Sequence, residues 1–179
     1  MSSTEITDRI ARALRRSDDR RAFDSLLRAL DDVGDSCVPS VVAAVVDLLD
    51  HPAVRPGAGG DSRSVRASAM SALKRLGPHA LPGLRVALAS RESVACRAVD
   101  TLHEIPGDGA DQILIAALSH QSPTVRWKAA GALGSRRAAA AIDALKERLD
   151  DSDANVQRNA AWALTEIRDR IAPATERDE

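Results

Sequence analysis

Apolar residues return along this chain at fixed intervals. From Val125 they stand four, five and eight positions on, at Ala129, Ala130 and Leu133. The same spacing starts at Val65 (Ala69, Met70, Leu73), at Val94 (Ala98, Val99, Leu102) and at Val156 (Ala160, Ala161, Leu164). Three copies continue to an aliphatic residue eleven positions after the valine, namely Leu76, Ile105 and Ile167. A looser copy starts at Ala22 and runs through Leu26, Leu27, Leu30 and Val33. Such offsets fall on one face of an α-helix, so each copy predicts an amphipathic helix. Each later copy is preceded by another apolar stripe, over 37–50, 78–89, 108–118 and 136–149, and the four valines are 29, 31 and 31 residues apart. The pattern is an internal repeat of helix hairpins.

Punctuation between the stripes agrees. Ser122-Pro123 supplies an N-cap followed by proline at the first helical position. Asp150-Asp151-Ser152-Asp153 supplies caps and negative charge for the last helix start, and Gly34 and Gly77 supply helix stops. The hairpins span about 4–34, 37–77, 78–106, 108–135 and 136–170. A hairpin of this size cannot bury enough apolar surface by itself to offset the entropy of ordering it, so the copies must stack. The expected fold is an all-α solenoid in a single domain over 1–171, with a charged tail at 172–179. Its first helix, about 4–15, caps the stack and turns Arg9, Arg12, Arg15 and Arg16 to water. One interruption breaks the register. D-H-P-A-V-R at 50–55 begins like a helix, but Pro56 and the following glycines stop it, predicting a loop inserted at 51–63.

The D-x-x-x-V-R-x-x-A-A-x-A-L signal, best seen in Val125-Arg126, Ala129-Ala130 and Ala132-Leu133, resembles HEAT-like repeats. The nearest type is the short bacterial one named after phycobilisome lyases. The resemblance covers about 20–170 and implies a right-handed, armadillo-type superhelix of about five hairpins. It also implies that the second helices line a concave surface. Its members include scaffolds, regulators and a few enzymes.

Composition narrows the functions. Aromatics make up 2% of the chain, with no Tyr and a single Phe, so a site built on stacked rings is disfavoured. A net charge of -1 gives no general attraction to nucleic acid or an anionic membrane. No apolar run is long enough to span a bilayer, and the N-terminus has no signal-like apolar segment. Cys37 and Cys96 fall in apolar helical pattern, which suits free thiols in the cytoplasm.

No catalytic or metal constellation emerges, and no cofactor is expected. Deoxyhypusine hydroxylase, an enzyme of the same superfamily, holds two irons with His-Glu pairs two and three residues after the repeat valine. Those slots here read Ala67-Ser68, Cys96-Arg97, Trp127-Lys128 and Arg158-Asn159. The His103-Glu104 pair lies at a helix end, and one pair cannot build a dinuclear centre. A tetrapyrrole pocket of the bilin-lyase kind would be poorly lined. His51, His79, His103 and His120 lack metal-pair spacing, and His79, His103 and His120 read as surface residues. G-A-G-G-D-S lacks the Gly-Lys-Ser/Thr ending of a phosphate loop.

The second helices leave offsets one, two, three, six, nine and ten outside the predicted core, and stacking sets these in rows. Trp127 and Trp162 then become diagonal neighbours with Gly131 making room between them, rimmed by Arg66, Arg97, Arg126, Lys128 and Arg158. Tryptophan ringed by cations is the composition of a protein-binding hot spot. The expected function is a non-catalytic adaptor, acting as a monomer, that receives a helix or extended segment of a partner, with acidic segments favoured. The alternatives are nucleic-acid or phosphate binding by the basic rim, and a lyase or oxidoreductase role as in the enzyme members.

Overall fold

The computed structural model describes residues 38–50 and 62–171, and among them all regular structure is helical, without a strand. The predicted hairpin 4–34, most of the loop 51–63 and the tail 172–179 lie outside the described residues, as do Gly34, Cys37 and His51. The chain divides into two compact units, one up to Ala87 and the other from Leu88.

In the first unit, α1 (Val38–Asp47) runs on as a 3-10 turn over Leu48–Asp50. Then come α2 (Ser62–Leu76), a 3-10 turn (Gly77–Ala80) and α3 (Leu81–Leu88). Val42, Val45 and Leu49 are buried with Ala69, Ala72, Leu73 and Leu84. Gly77 ends α2 with φ 53°, the left-handed conformation that a glycine stop provides. Gly83 lets α1 and α3 close together, because a Cβ there would overlap Val42.

The second unit contains α4 (Glu92–Glu104), α5 (Asp108–Ala117), α6 (Pro123–Arg136), α7 (Ile142–Glu147) and α8 (Ala154–Ile171). Two short 3-10 turns, Ala139–Ala141 and Arg148–Asp150, flank α7. The repeated second helices are α4, α6 and α8. Their valines (Val94, Val125, Val156) and the alanines four positions on (Ala98, Ala129, Ala160) are buried, as the spacing predicts. A further buried row stands seven positions after the valine: Thr101, Ala132 and Ala163. Thr101 is admitted to the core because its hydroxyl donates to the Arg97 carbonyl at 2.8 Å.

Neighbouring second helices run parallel, but not level. The repeat is 31 residues, yet Lys128 pairs with Asp100, and Cβ atoms added to Gly131 and Gly134 would meet Asn159 and Trp162. Each of these pairs is 28 residues apart, and Gly134 also meets Ala163, 29 positions on. The stack therefore slips by two to three residues, a little under one helical turn. Rows of equivalent residues slant across the face instead of running straight.

The helix ends hold several departures from expectation. Helix α6 continues through Arg136, and Arg137 takes the left-handed conformation (φ 54°). Its N–H donates to Gly134 at 2.9 Å and that of Ala138 to Leu133 at 3.1 Å, the closing pattern of a Schellman motif. The stripe predicted at 136–149 thus becomes two 3-10 turns around a short helix. Asp153 caps α8 as predicted, accepting from the Asn155 and Val156 N–H groups at 2.8 and 3.2 Å. Ser122 occupies its N-cap position, but its hydroxyl donates instead to Glu92 at 2.6 Å. Ala161 and Leu164, assigned by spacing to the core, are exposed and half-buried respectively. No described element lies over that side of α8.

The two glycines of α6 separate packing from propensity. A Cβ on Gly134 would stand 2.7 Å from Ala163 Cα and 2.7 Å from the Trp162 ring, so α6 and α8 would have to part. At Gly131 the nearest atom is Asn159 Oδ1 at 3.3 Å, the end of a side chain that can turn away. Gly131→Ala is expected to gain up to about 1 kcal/mol from helix propensity. Gly134→Ala is expected to lose about 1–3 kcal/mol through overpacking. Equilibrium denaturation of the two variants side by side checks the pair.

Candidate functional site

Trp162 belongs to the seam between α6 and α8, and Trp127 lies on the face of α6 that carries the two seam glycines. On α6, Trp127, Gly131 and Gly134 follow one another at helical spacing and share a face. Asn159 and Trp162 of α8 stand opposite the glycines. The glycine that makes room for Trp162 is therefore Gly134, and Gly131 faces Asn159. Trp127 is half-buried, while Trp162 keeps 43% of its surface exposed with one ring edge seated over Gly134. Seven residues separate Trp127 from Gly134, so the two indoles are about 10 Å apart along the helix axes.

The expected basic rim is partly spent on internal contacts. Lys128 Nζ lies 5.6 Å from the centre of the Trp127 ring and 2.7 Å from Asp100 Oδ1 of α4. It thereby fixes the ring and bridges two helices. Arg97 donates to the Ser93 carbonyl at 3.0 Å along its own helix. Arg158 is exposed and donates to Asn155. Arg66 belongs to α2 in the other unit, and its side chain lies outside what the structure describes. Arg126 leaves the rim altogether. Its guanidinium grips Asp151 with two bonds, at 2.9 and 2.7 Å, and donates to the carbonyls of His120 and Gln121.

Asp151 is the centre of a network that the spacing did not reveal. Its carboxylate is almost fully buried, also accepts from the Asp153 N–H at 3.0 Å, and has Arg148 3.8 Å away. The hydrogen bonds from Arg126 hold its pKa below the usual carboxylate range. Arg136 makes the other large fastening. It reaches Asp111 at 2.5 Å and the carbonyls of His103, Ile105 and Gly107 at 2.9, 2.6 and 3.1 Å, closing the end of α4. The sequence signal was available, since Arg136 takes the place filled by Leu76, Ile105 and Ile167 in the other copies.

His103 and His120 depart from the surface assignment. His120 is half-buried and uses both ring nitrogens, accepting from the Ser122 N–H at Nδ1 and donating from Nε2 to the Leu88 carbonyl at 3.1 Å. His103 is half-buried with Nδ1 enclosed. His79 is exposed, as expected. Cys96 is a free, half-buried thiol whose pKa is pushed up by burial. Among the described residues no group of three or more His, Cys, Asp or Glu side chains is placed to hold a metal ion. Nor is any helix there long and apolar enough to cross a membrane.

Comparison with known proteins follows this geometry. The HEAT repeat family matches residues 110–175, the stretch from α5 to the end of α8. No curated protein matches the chain. Human deoxyhypusine hydroxylase in complex with glycerol is similar in structure, with a TM-score of 0.53 at 18% identity over 94% of this chain and 81% of that one. At that identity the likeness shows the helical-repeat fold alone. An engineered protein gives a TM-score of 0.44 at 22% identity over 94% of this chain and 87% of its own. A designed armadillo repeat protein gives 0.29 at 17% over 88% and 98%.

The Asp151 network sets an acid limb to stability. A carboxylate whose folded pKa lies below its unfolded value of ~3.9 contributes fully above that value. The contribution fades as pH falls through the folded pKa. Denaturation midpoints should therefore fall steeply below about pH 4. Asp151→Asn should cost about 2 kcal/mol at neutral pH by leaving Arg126 without its charged partner, and should flatten that acid limb. Urea titrations of both proteins at several pH values check it.

Proposed function

We propose that this HEAT-like repeat protein is a non-catalytic interaction module that seats a helix or extended segment of a partner protein along the α6–α8 seam. The observation that carries the reading is Trp162, a large ring fixed by Gly134 on one edge and 43% open to water on the other. An indole held still before binding loses little entropy when covered, and such rings supply much of the energy of protein interfaces. Trp127, already steadied by Lys128, gives a second ring about two helical turns away. Apolar side chains seven residues apart on a partner helix would meet both.

The charges refine this picture. Lys128 is engaged with Asp100, so an incoming carboxylate would exchange with Asp100 instead of meeting a bare cation. Arg158 at the exposed edge is the better contact for an acidic flank of the partner. The same pairing weighs against nucleic acid, because a phosphate-binding face needs cations held for the ligand. A cytoplasmic setting fits the reduced Cys96.

Trp127 and Trp162 are the chain's two tryptophans, so their emission reports on this seam directly. Partner capture from the host, followed by titration of the captured segment as a synthetic peptide, should shift that emission to the blue. The double variant Trp127→Ala/Trp162→Ala should lose binding at least tenfold while keeping a cooperative melt. Undiminished binding by that variant would falsify the docking seam. Binding of duplex DNA that weakens steeply with salt would replace it with the nucleic-acid reading.

A further inference from the structure

We infer that His120 is a proton-operated clasp on the turn at residues 89–91: neutral, it fastens that turn, and a proton taken up at Nδ1 opens it. The inference stands apart from the docking seam. Ser122 donates its N–H to Nδ1 at 3.0 Å, so the ring proton sits on Nε2, which donates to the Leu88 carbonyl at 3.1 Å. Leu88 is the last residue of α3, where carbonyls lack a partner within their own helix. The Ser122 hydroxyl donates to Glu92 at 2.6 Å, and Glu92 is the first residue of α4. His120 and Ser122 together thus hold both sides of the turn, at the very start of the second compact unit.

The repeat shows what this position requires. Asp151 stands 31 positions after His120, and it too accepts the N–H two residues on, from Asp153 at 3.0 Å. Both copies therefore place an acceptor at the same point before a second helix. A carboxylate remains an acceptor through mild acid, whereas an imidazole loses its acceptor nitrogen there. With a proton on Nδ1, two N–H groups would face each other. The ring must then turn, and it gives up Leu88 as well. The charges around it are mostly positive. Arg126 of α6 donates to the His120 carbonyl at 2.9 Å and is itself paired with Asp151. Arg148, ahead of α8, donates to the Leu118 carbonyl at 3.3 Å. Arg85 lies on α3, Arg91 lies in the turn, and Glu92 of α4 is engaged by the Ser122 hydroxyl. Among the described residues no carboxylate bonds to the ring. The closed clasp binds one proton fewer than the open one. Closure is therefore complete above the imidazole range and is lost as pH falls through it.

Nuclear magnetic resonance of the full-length, 15N-labelled chain tests this directly. At about pH 8 the His120 ring should show the Nε2–H tautomer, and the Ser122 amide should be protected from exchange. Between about pH 8 and about pH 5 that protection, scaled for the intrinsic pH dependence of exchange, should fall at least about tenfold. The amide shifts of residues 89–91 should move with the same midpoint as the His120 ring. His120→Asn gives Ser122 an acceptor that no proton removes, so its protection should stay level across the range. Glu92→Gln should leave the fall in place. An Nδ1–H tautomer at about pH 8, or wild-type protection that stays level, overturns the inference. So does a fall that survives His120→Asn or disappears in Glu92→Gln, because another group would then be the sensor.

Discussion

At Gly134 the parallel helices α6 and α8 come so near that one methyl group would overlap the backbone of Ala163. That closeness governs the rest of the second unit. It requires small residues where the backbones meet, and Ala163 of α8 is the one that faces Gly134. A glycine inside a helix is unfavourable by about 0.5–1 kcal/mol, and at Gly134 the close packing compensates for it. The seam also decides where an indole can go. No space remains between the helices for a ring, so Trp162 lies along the surface with one edge over the glycine and the other in water. The display of an aromatic ring is thus a direct consequence of close backbone approach.

Close packing leaves helix ends to be dealt with, and arginine does most of that work. Each short first helix, and α4 as well, ends on carbonyls that have no partner within their own helix. Arg136 collects those at the end of α4, Arg126 those after α5, and Arg148 that of Leu118. Each arginine reaches from a different element, so it fastens segments distant in sequence while meeting the negative end of a helix dipole. Buried Asp151 then balances Arg126 and, at longer range, Arg148. The near-balance of 25 basic and 26 acidic residues reflects fastening of this kind as much as any property of the outer surface.

Among the described residues, periodicity sufficed for the repeated second helices and for their buried valine and alanine rows, because those follow from which face of a helix meets its neighbour. The site was legible only in part. Trp162 meets α6 at Gly134 and not at Gly131, because pairing positions at equal offset ignores the slip between the helices. That slip arises from how ridges settle into grooves, and a single chain's spacing carries no trace of it. Arg126 was misread for a different reason. It looks like any surface arginine until the turn before α8 brings Asp151 against it, 25 residues away in sequence. His120 was lost likewise, since its partners are a neighbouring N–H and the distant Leu88 carbonyl, groups that every residue has.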